Sequence, residues 1–97
     1  MDMDERIALA KAARDVLARR DLTASAKLAY LFLAARSGER VSAAEAARSI
    51  GVSGRTWTNA MSALRRAGLV ESTRRGFGGP VAHRVVLPEV GDDRNDG

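Results

Sequence analysis

Residues 41–69 read VSAAEAARSIGVSGRTWTNAMSALRRAGL, and this stretch restricts the fold most tightly. Ser42 and Glu45 have the spacing of a capping box, in which serine and glutamate satisfy each other's free backbone amides. The pattern predicts a helix from about Ala43 to Ser49 that buries Ala46, Ala47 and Ile50. Gly51 supplies a turn, Val52 plugs inward, and Ser53 caps a second helix, Gly54 to Ala67, which Gly68 ends. Within it Trp57, Met61 and Leu64 recur at i, i+4 and i+7 beside Ala60, which defines a buried face. About half a turn away stand Arg55, Thr58, Asn59 and Ser62. One short helix therefore braces another whose outward face is polar and carries arginine.

The flanks extend this unit. Asp4 to Arg20 reads as a first helix, with acids at its start and Arg19 and Arg20 at its end, both favourable to the helix dipole. Its apolar stripe is Leu9, Ala13, Val16 and Leu17, with Ile7 nearby. Thr23 caps a helix over Ala24 to Arg36, and Gly38 stops it. There Leu28, Leu31, Phe32 and Ala35 fall at i, i+3, i+4 and i+7, with Tyr30 off that line and facing the first helix. Val41 is a one-residue stub of strand. Downstream, Leu69 to Thr73 and Val81 to Leu87 read as two strands, with Val81, Val85 and Leu87 alternating against Ala82, Arg84 and Val86. Between them Arg74-Arg75-Gly76-Phe77-Gly78-Gly79-Pro80 forms a glycine-rich loop, in which Phe77 either packs back on the hairpin or wedges against a ligand sugar.

With 97 residues the chain has room for one core. Apolar residues make up 45% but aromatics only 4%, so alanine does much of the packing and the helices must approach closely. Such a small core is naturally supplemented by a dimer partner. The net charge of +4 is unevenly spread. From Arg36 to Arg84 nine arginines face three glutamates, whereas Glu89 to Gly97 holds four acids and one arginine. The second half thus carries a basic field suited to a polyanion, and the acidic remainder reads as a disordered tail.

The order helix, helix, capped helix, glycine turn, helix, hairpin carries a resemblance. Ser42-x-x-Glu45, Ala47, Gly51-Val52-Ser53, Thr56-Trp57 and Leu64-x-x-x-Gly68-Leu69-Val70 together resemble the winged helix-turn-helix of bacterial DNA-binding proteins. The likeness is to the type in transcriptional regulators and plasmid or phage replication proteins, over about residues 22 to 88. It implies a mainly α fold with a small β-hairpin and an extra N-terminal helix. The corresponding division is 1–21 as a dimerisation helix, 22–88 as the DNA-binding domain and 89–97 as tail.

By the same resemblance the helix over 54–67 enters the major groove, and the loop over 74–80 touches the backbone or minor groove. Ser53, Arg55, Thr56, Thr58, Asn59 and Ser62 would then lie towards DNA. Arg55 suits guanine O6 and N7, and Asn59 suits adenine N6 and N7. Ser53 and Thr56, with the first amides of the helix, suit phosphate. Arg65 and Arg66 at the far end meet phosphate or solvent rather than a base, and Arg74 and Arg75 follow a narrow minor groove or clasp phosphate. Gly54 adds no side chain at the helix start, so base readout is expected to be sparse.

Enzymatic chemistry is not expected. One histidine and no cysteine leave no nucleophile–base pair, and disulfides and cysteine-ligated zinc are excluded. His83 lies in a strand away from any carboxylate cluster, so neither a metal nor a cofactor is expected. Gly76-Phe77-Gly78-Gly79 lacks the Gly-Lys-Ser/Thr of a phosphate loop. The N-terminus is charged and amphipathic without signal-peptide organisation, and a cytoplasmic, nucleoid-associated protein is expected. The expected partners are duplex DNA and a second copy through the N-terminal helix, with no membrane and no small-molecule ligand. The rival reading is a protein–protein module that works through that same helix. Arginine far outnumbers lysine and alanine is abundant, a bias typical of GC-rich bacterial coding sequences.

Overall fold

The serine half of the expected capping box forms at Ser42. Its extended backbone (φ −82°, ψ 152°) lets Oγ accept from the Glu45 amide at 3.1 Å, and α3 runs from Ala43 to Ile50. Gly51 then takes a left-handed conformation (φ 77°), and its amide and that of Val52 close onto Arg48 and Ala47 carbonyls. This is why a glycine is needed there: a β-carbon would strain that φ. Ser53 repeats the device for α4, Gly54–Arg66, accepting from the Thr56 amide at 3.1 Å. Gly68, also left-handed at φ 75°, turns the chain out of α4 towards the sheet.

The computed structural model describes residues 3–36, 39–74 and 81–87. Its element order is α1 (Met3–Ala18), α2 (Ala24–Arg36), β1 (Arg40–Val41), α3, α4, β2 (Val70–Arg74) and β3 (Val81–Val85). Four helices thus accompany a small antiparallel sheet with strand order β1-β3-β2. Val41 is not a stub but half of a third strand, since Arg40 pairs with Ala82 and Val41 with Val81. The hairpin expected from the sequence is therefore the larger part of a three-stranded sheet. In the hairpin Val70 pairs with Val85 and Ser72 with His83. Alternation turns Val70, Ser72, His83 and Val85 to the helices and leaves Glu71, Thr73 and Arg84 exposed.

One continuous core joins all four helices to the sheet. Val16, Tyr30, Leu33 and Leu64 are its largest fully buried side chains, with Ala26, Ala29, Ala46 and Ala60 between them. These alanines let the helices approach closely. Trp57 is 2% exposed and lies edge-on to Phe32, with ring centroids 5.9 Å apart. Arg36 covers the Phe32 ring at 4.6 Å.

Both N-terminal helices depart from expectation. The first ends at Ala18 instead of Arg20: the Arg19 amide closes onto the Val16 carbonyl at 3.1 Å in a tighter turn, and the Arg19 side chain pairs with Asp21 at 2.7 and 2.9 Å. Lys27 Nζ caps the Leu17 carbonyl at 2.8 Å. The buried positions of α1 are Ala12 and Val16, whereas Leu9 and Ala13 are half-buried, and Ile7 and Leu17 are about half exposed at 51% and 50%. In α2 the buried line is Ala26, Ala29, Tyr30, Leu33 and Ala34. Leu28 and Ala35 are exposed, and Leu31 and Phe32 half-buried. The period is right but the stripe is turned by two residues, about 200°. Almost every position of α2 is apolar, so periodicity has no polar face to set it against. Tyr30 does lie beside α1, sharing a cleft with Ala12, Asp15, Val16 and Arg19.

Other boundaries shift by one or two residues. Helix α3 gains Ile50, α4 stops at Arg66, and the strands are Val70–Arg74 and Val81–Val85. Residues 37–38, the loop over 75–80 and the segment 88–97 lie outside the described residues. With them go Gly38, Arg75, Phe77 and the acidic tail.

Candidate nucleic-acid interface

Helix α4 presents its polar residues in two groups. Placing 100° between successive residues puts Trp57, Ala60, Met61 and Leu64 inward, as their burial requires. Arg55, Asn59, Ser62 and Arg66 then follow one outward line at i, i+4, i+7 and i+11. Arg55, Asn59 and Arg66 are exposed and Ser62 is half-buried. Thr58 and Arg65 fall instead on the flank facing the sheet. Arg65 and Arg66 therefore separate, although they adjoin in sequence and were expected to act alike.

At the start of α4 the hydroxyl groups are already engaged. Ser53 Oγ accepts from the Thr56 amide and donates to Thr56 Oγ1 at 3.0 Å. The bond to Thr56 Oγ1 consumes the Ser53 hydrogen, so the hydroxyl hydrogen left for a ligand is that of Thr56. Thr56 is half-buried and Ser53 exposed. Among the described residues nothing beyond its own turn of helix approaches within 4 Å of where a Gly54 β-carbon would lie, so this end of the helix offers bare backbone.

The sheet-side flank borders an open cleft of about 380 Å³ lined by Ala43, Trp57, Thr58, Met61, Arg65, Ser72 and His83. Arg65 Nη1 donates to Ser72 Oγ at 3.3 Å, and Ser72 Oγ lies 2.7 Å from His83 Nδ1. Arginine only donates, so Ser72 accepts from Arg65, and the direction of its bond with His83 follows the imidazole tautomer. His83 is 7% exposed and stands edge-on to Trp57 at 6.3 Å. Burial, and secondly the Arg65 charge, hold its imidazole below the ordinary histidine range, which keeps it neutral near pH 7.

Sequence reasoning identified Arg65 but missed Ser72 and His83 as its companions. The available signal was a lone histidine at an inward strand position, in line with Val85. Pairing it with Ser72 requires the hairpin register, which a loop rich in glycine does not specify. Arg74 ends β2, and its side chain, like Arg75 as a whole, lies outside what the structure describes. Among the described residues no three histidine, cysteine, aspartate or glutamate side chains converge on a metal position. No described helix is long and apolar enough to cross a membrane. No protein-family model matches the chain, and no curated protein matches its sequence.

Proposed function

We propose that the chain is a double-stranded DNA-binding protein of winged helix-turn-helix type, with α4 in the major groove and the β2–β3 hairpin as its wing. The carrying observation is the outward line Arg55, Asn59, Ser62 and Arg66 on a helix fixed from behind by Trp57, Met61 and Leu64. A straight helix edge of donors and acceptors backed by a rigid core fits a groove about 12 Å wide. The Ser53 cap and unobstructed Gly54 suit close approach of a phosphate to the first amides of α4. Arg55 and Asn59 read base edges, and Arg66 anchors phosphate. The biological role is that of a small bacterial regulator or a DNA-binding protein of a mobile element.

Binding in the nanomolar to micromolar range is expected, falling by about 0.9 log units per log of salt for each phosphate neutralised. Selection from a random duplex pool should yield a site for the wild type. Replacing Arg55 and Asn59 together by alanine should relax its preference. Unaltered affinity and preference in that double variant would remove α4 as the reading element.

A second reading draws on a different observation. Met3, Ile7 and Leu17 are 66%, 51% and 50% exposed on α1. An apolar row of this kind suits a protein partner, including a second copy bringing two α4 helices to half-sites about 10 base pairs apart. Sedimentation at two concentrations tests it: a dimer that Ile7→Glu dissociates supports the contact, and a monomer throughout rejects self-association.

A further inference from the structure

We propose that the cleft between α4 and the sheet seats one phosphate oxyanion, held by Arg65 and Ser72, and that His83 takes up a proton when the seat fills. The oxyanion is a backbone phosphodiester of a duplex or free phosphate, and its duplex form rests on the DNA-binding reading above.

The cleft geometry carries the inference: a guanidinium, a hydroxyl and a nearly buried imidazole stand in series along one open cleft. In the empty seat the chain runs Arg65 Nη1 to Ser72 Oγ to His83 Nδ1, with spacings of 3.3 and 2.7 Å. The proposed ligand-free arrangement directs the one Ser72 hydrogen to Nδ1, and the neutral imidazole then carries its proton on Nε2. Entry of an anion makes a positive imidazolium favourable. A proton from solvent binds Nδ1, which then donates to Ser72 Oγ instead of accepting from it. The Ser72 hydrogen is released and turns out to the anion. Ser72 ends with both lone pairs engaged, by Arg65 and His83, and its one hydrogen donated. The net change is one proton taken up from water and one anion bound, with no covalent bond altered apart from the new N–H.

The surrounding charges do not pre-empt this. Arg65 is the charged group that α4 turns to the cleft, and α3 contributes only Ala43. Glu71 and Arg84 pair at 3.8 Å on the opposite, exposed face of the hairpin. Arg40 stands opposite Ala82, one position out of phase with His83. Glu39, just before β1, is held by Arg36 at 3.5 Å. The imidazole thus has a guanidinium and a hydroxyl beside it and no carboxylate among the cleft residues, which leaves the counter-ion to come from outside.

His83 is the only histidine in the chain, so its imidazole signals can be followed by NMR without assignment ambiguity. Titration of the full chain is compared alone, with mixed-sequence duplex DNA at low salt, and with inorganic phosphate. The proposal expects the His83 midpoint to rise by about one pH unit when the seat fills. By linkage this corresponds to about tenfold tighter binding at pH below both midpoints than above both. A rise with DNA alone identifies the phosphodiester, and a rise with phosphate alone identifies a free-anion seat. Arg65→Gln and Arg14→Gln remove the same charge, the second from α1, which contributes nothing to the cleft, yet only Arg65→Gln should abolish the rise. An unmoved midpoint in both arms, or equal behaviour of the two variants, overturns the proposal. If the wild type fails to bind any duplex, the DNA reading falls and the phosphate arm decides the seat by itself.

Discussion

The molecule contains two helix pairs built on opposite terms. Helices α3 and α4 have serine caps at both starts, a left-handed glycine between them, and buried faces set against polar ones. Helices α1 and α2 are rich in alanine, with apolar residues on more than one side. In the first pair burial could take only one orientation. In the second the choice falls to shape: Ala26, Ala29 and Tyr30 go inward because alanine admits a neighbouring helix, leaving Leu28 46% exposed. Contrast between faces, more than total hydrophobicity, makes a helix orientation legible.

That contrast can be broken most forcefully at Trp57. Its replacement by alanine should cost about 3–5 kcal/mol in urea unfolding, because the indole is buried against Phe32 and His83. Leu28→Ala, at the site the sequence pattern also marked as core, should cost under about 0.5 kcal/mol. Comparable losses at the two positions would contradict the assigned orientation of α2.

Next in size are the capping serines. Ser42→Ala and Ser53→Ala should each lower stability by about 1 kcal/mol, since each removes the acceptor for a first-turn amide. At Gly54, alanine meets open space and needs no unusual backbone angle. It should raise stability by about 0.4–1 kcal/mol through a less flexible unfolded chain. A loss of stability there would mean that the start of α4 is wrongly placed.

The pH response isolates the sheet-side cleft from both helix pairs. His83 has a depressed value in the folded protein and the ordinary value of about 6.5 when unfolded. Between those values the unfolded chain binds more protons, so stability falls as pH drops through about 6.5 and levels off below the folded value. His83→Gln should flatten that part of the curve, measured as unfolding midpoint against pH in dilute, phosphate-free buffer. The smallest effect belongs to Tyr30, whose buried hydroxyl has no hydrogen-bond partner among the described residues. Tyr30→Phe should therefore leave stability within about 0.5 kcal/mol or raise it.

The same distinction explains how much could be read before any coordinates. Local signals located α2 to the residue, and α3 and α4 within a residue at their ends, because caps and glycine act over three or four positions. The face of α4, including the exposure of Arg55, Thr58 and Asn59, followed from its amphipathic pattern. Non-local pairing did not. Val41 joins a sheet only because β3 returns alongside it some forty residues later, and Ser72 meets His83 only through hairpin register. The separation of Arg65 from Arg66 required knowing where the sheet lies.

Amide chemical-shift mapping of the labelled full chain with a mixed-sequence duplex at low salt tests the central claim most directly. The account predicts perturbations concentrated at residues 53–66 and in β2 and β3, weakening together as salt is raised. Perturbations confined to α1, or none at any ratio of DNA to protein, would contradict it.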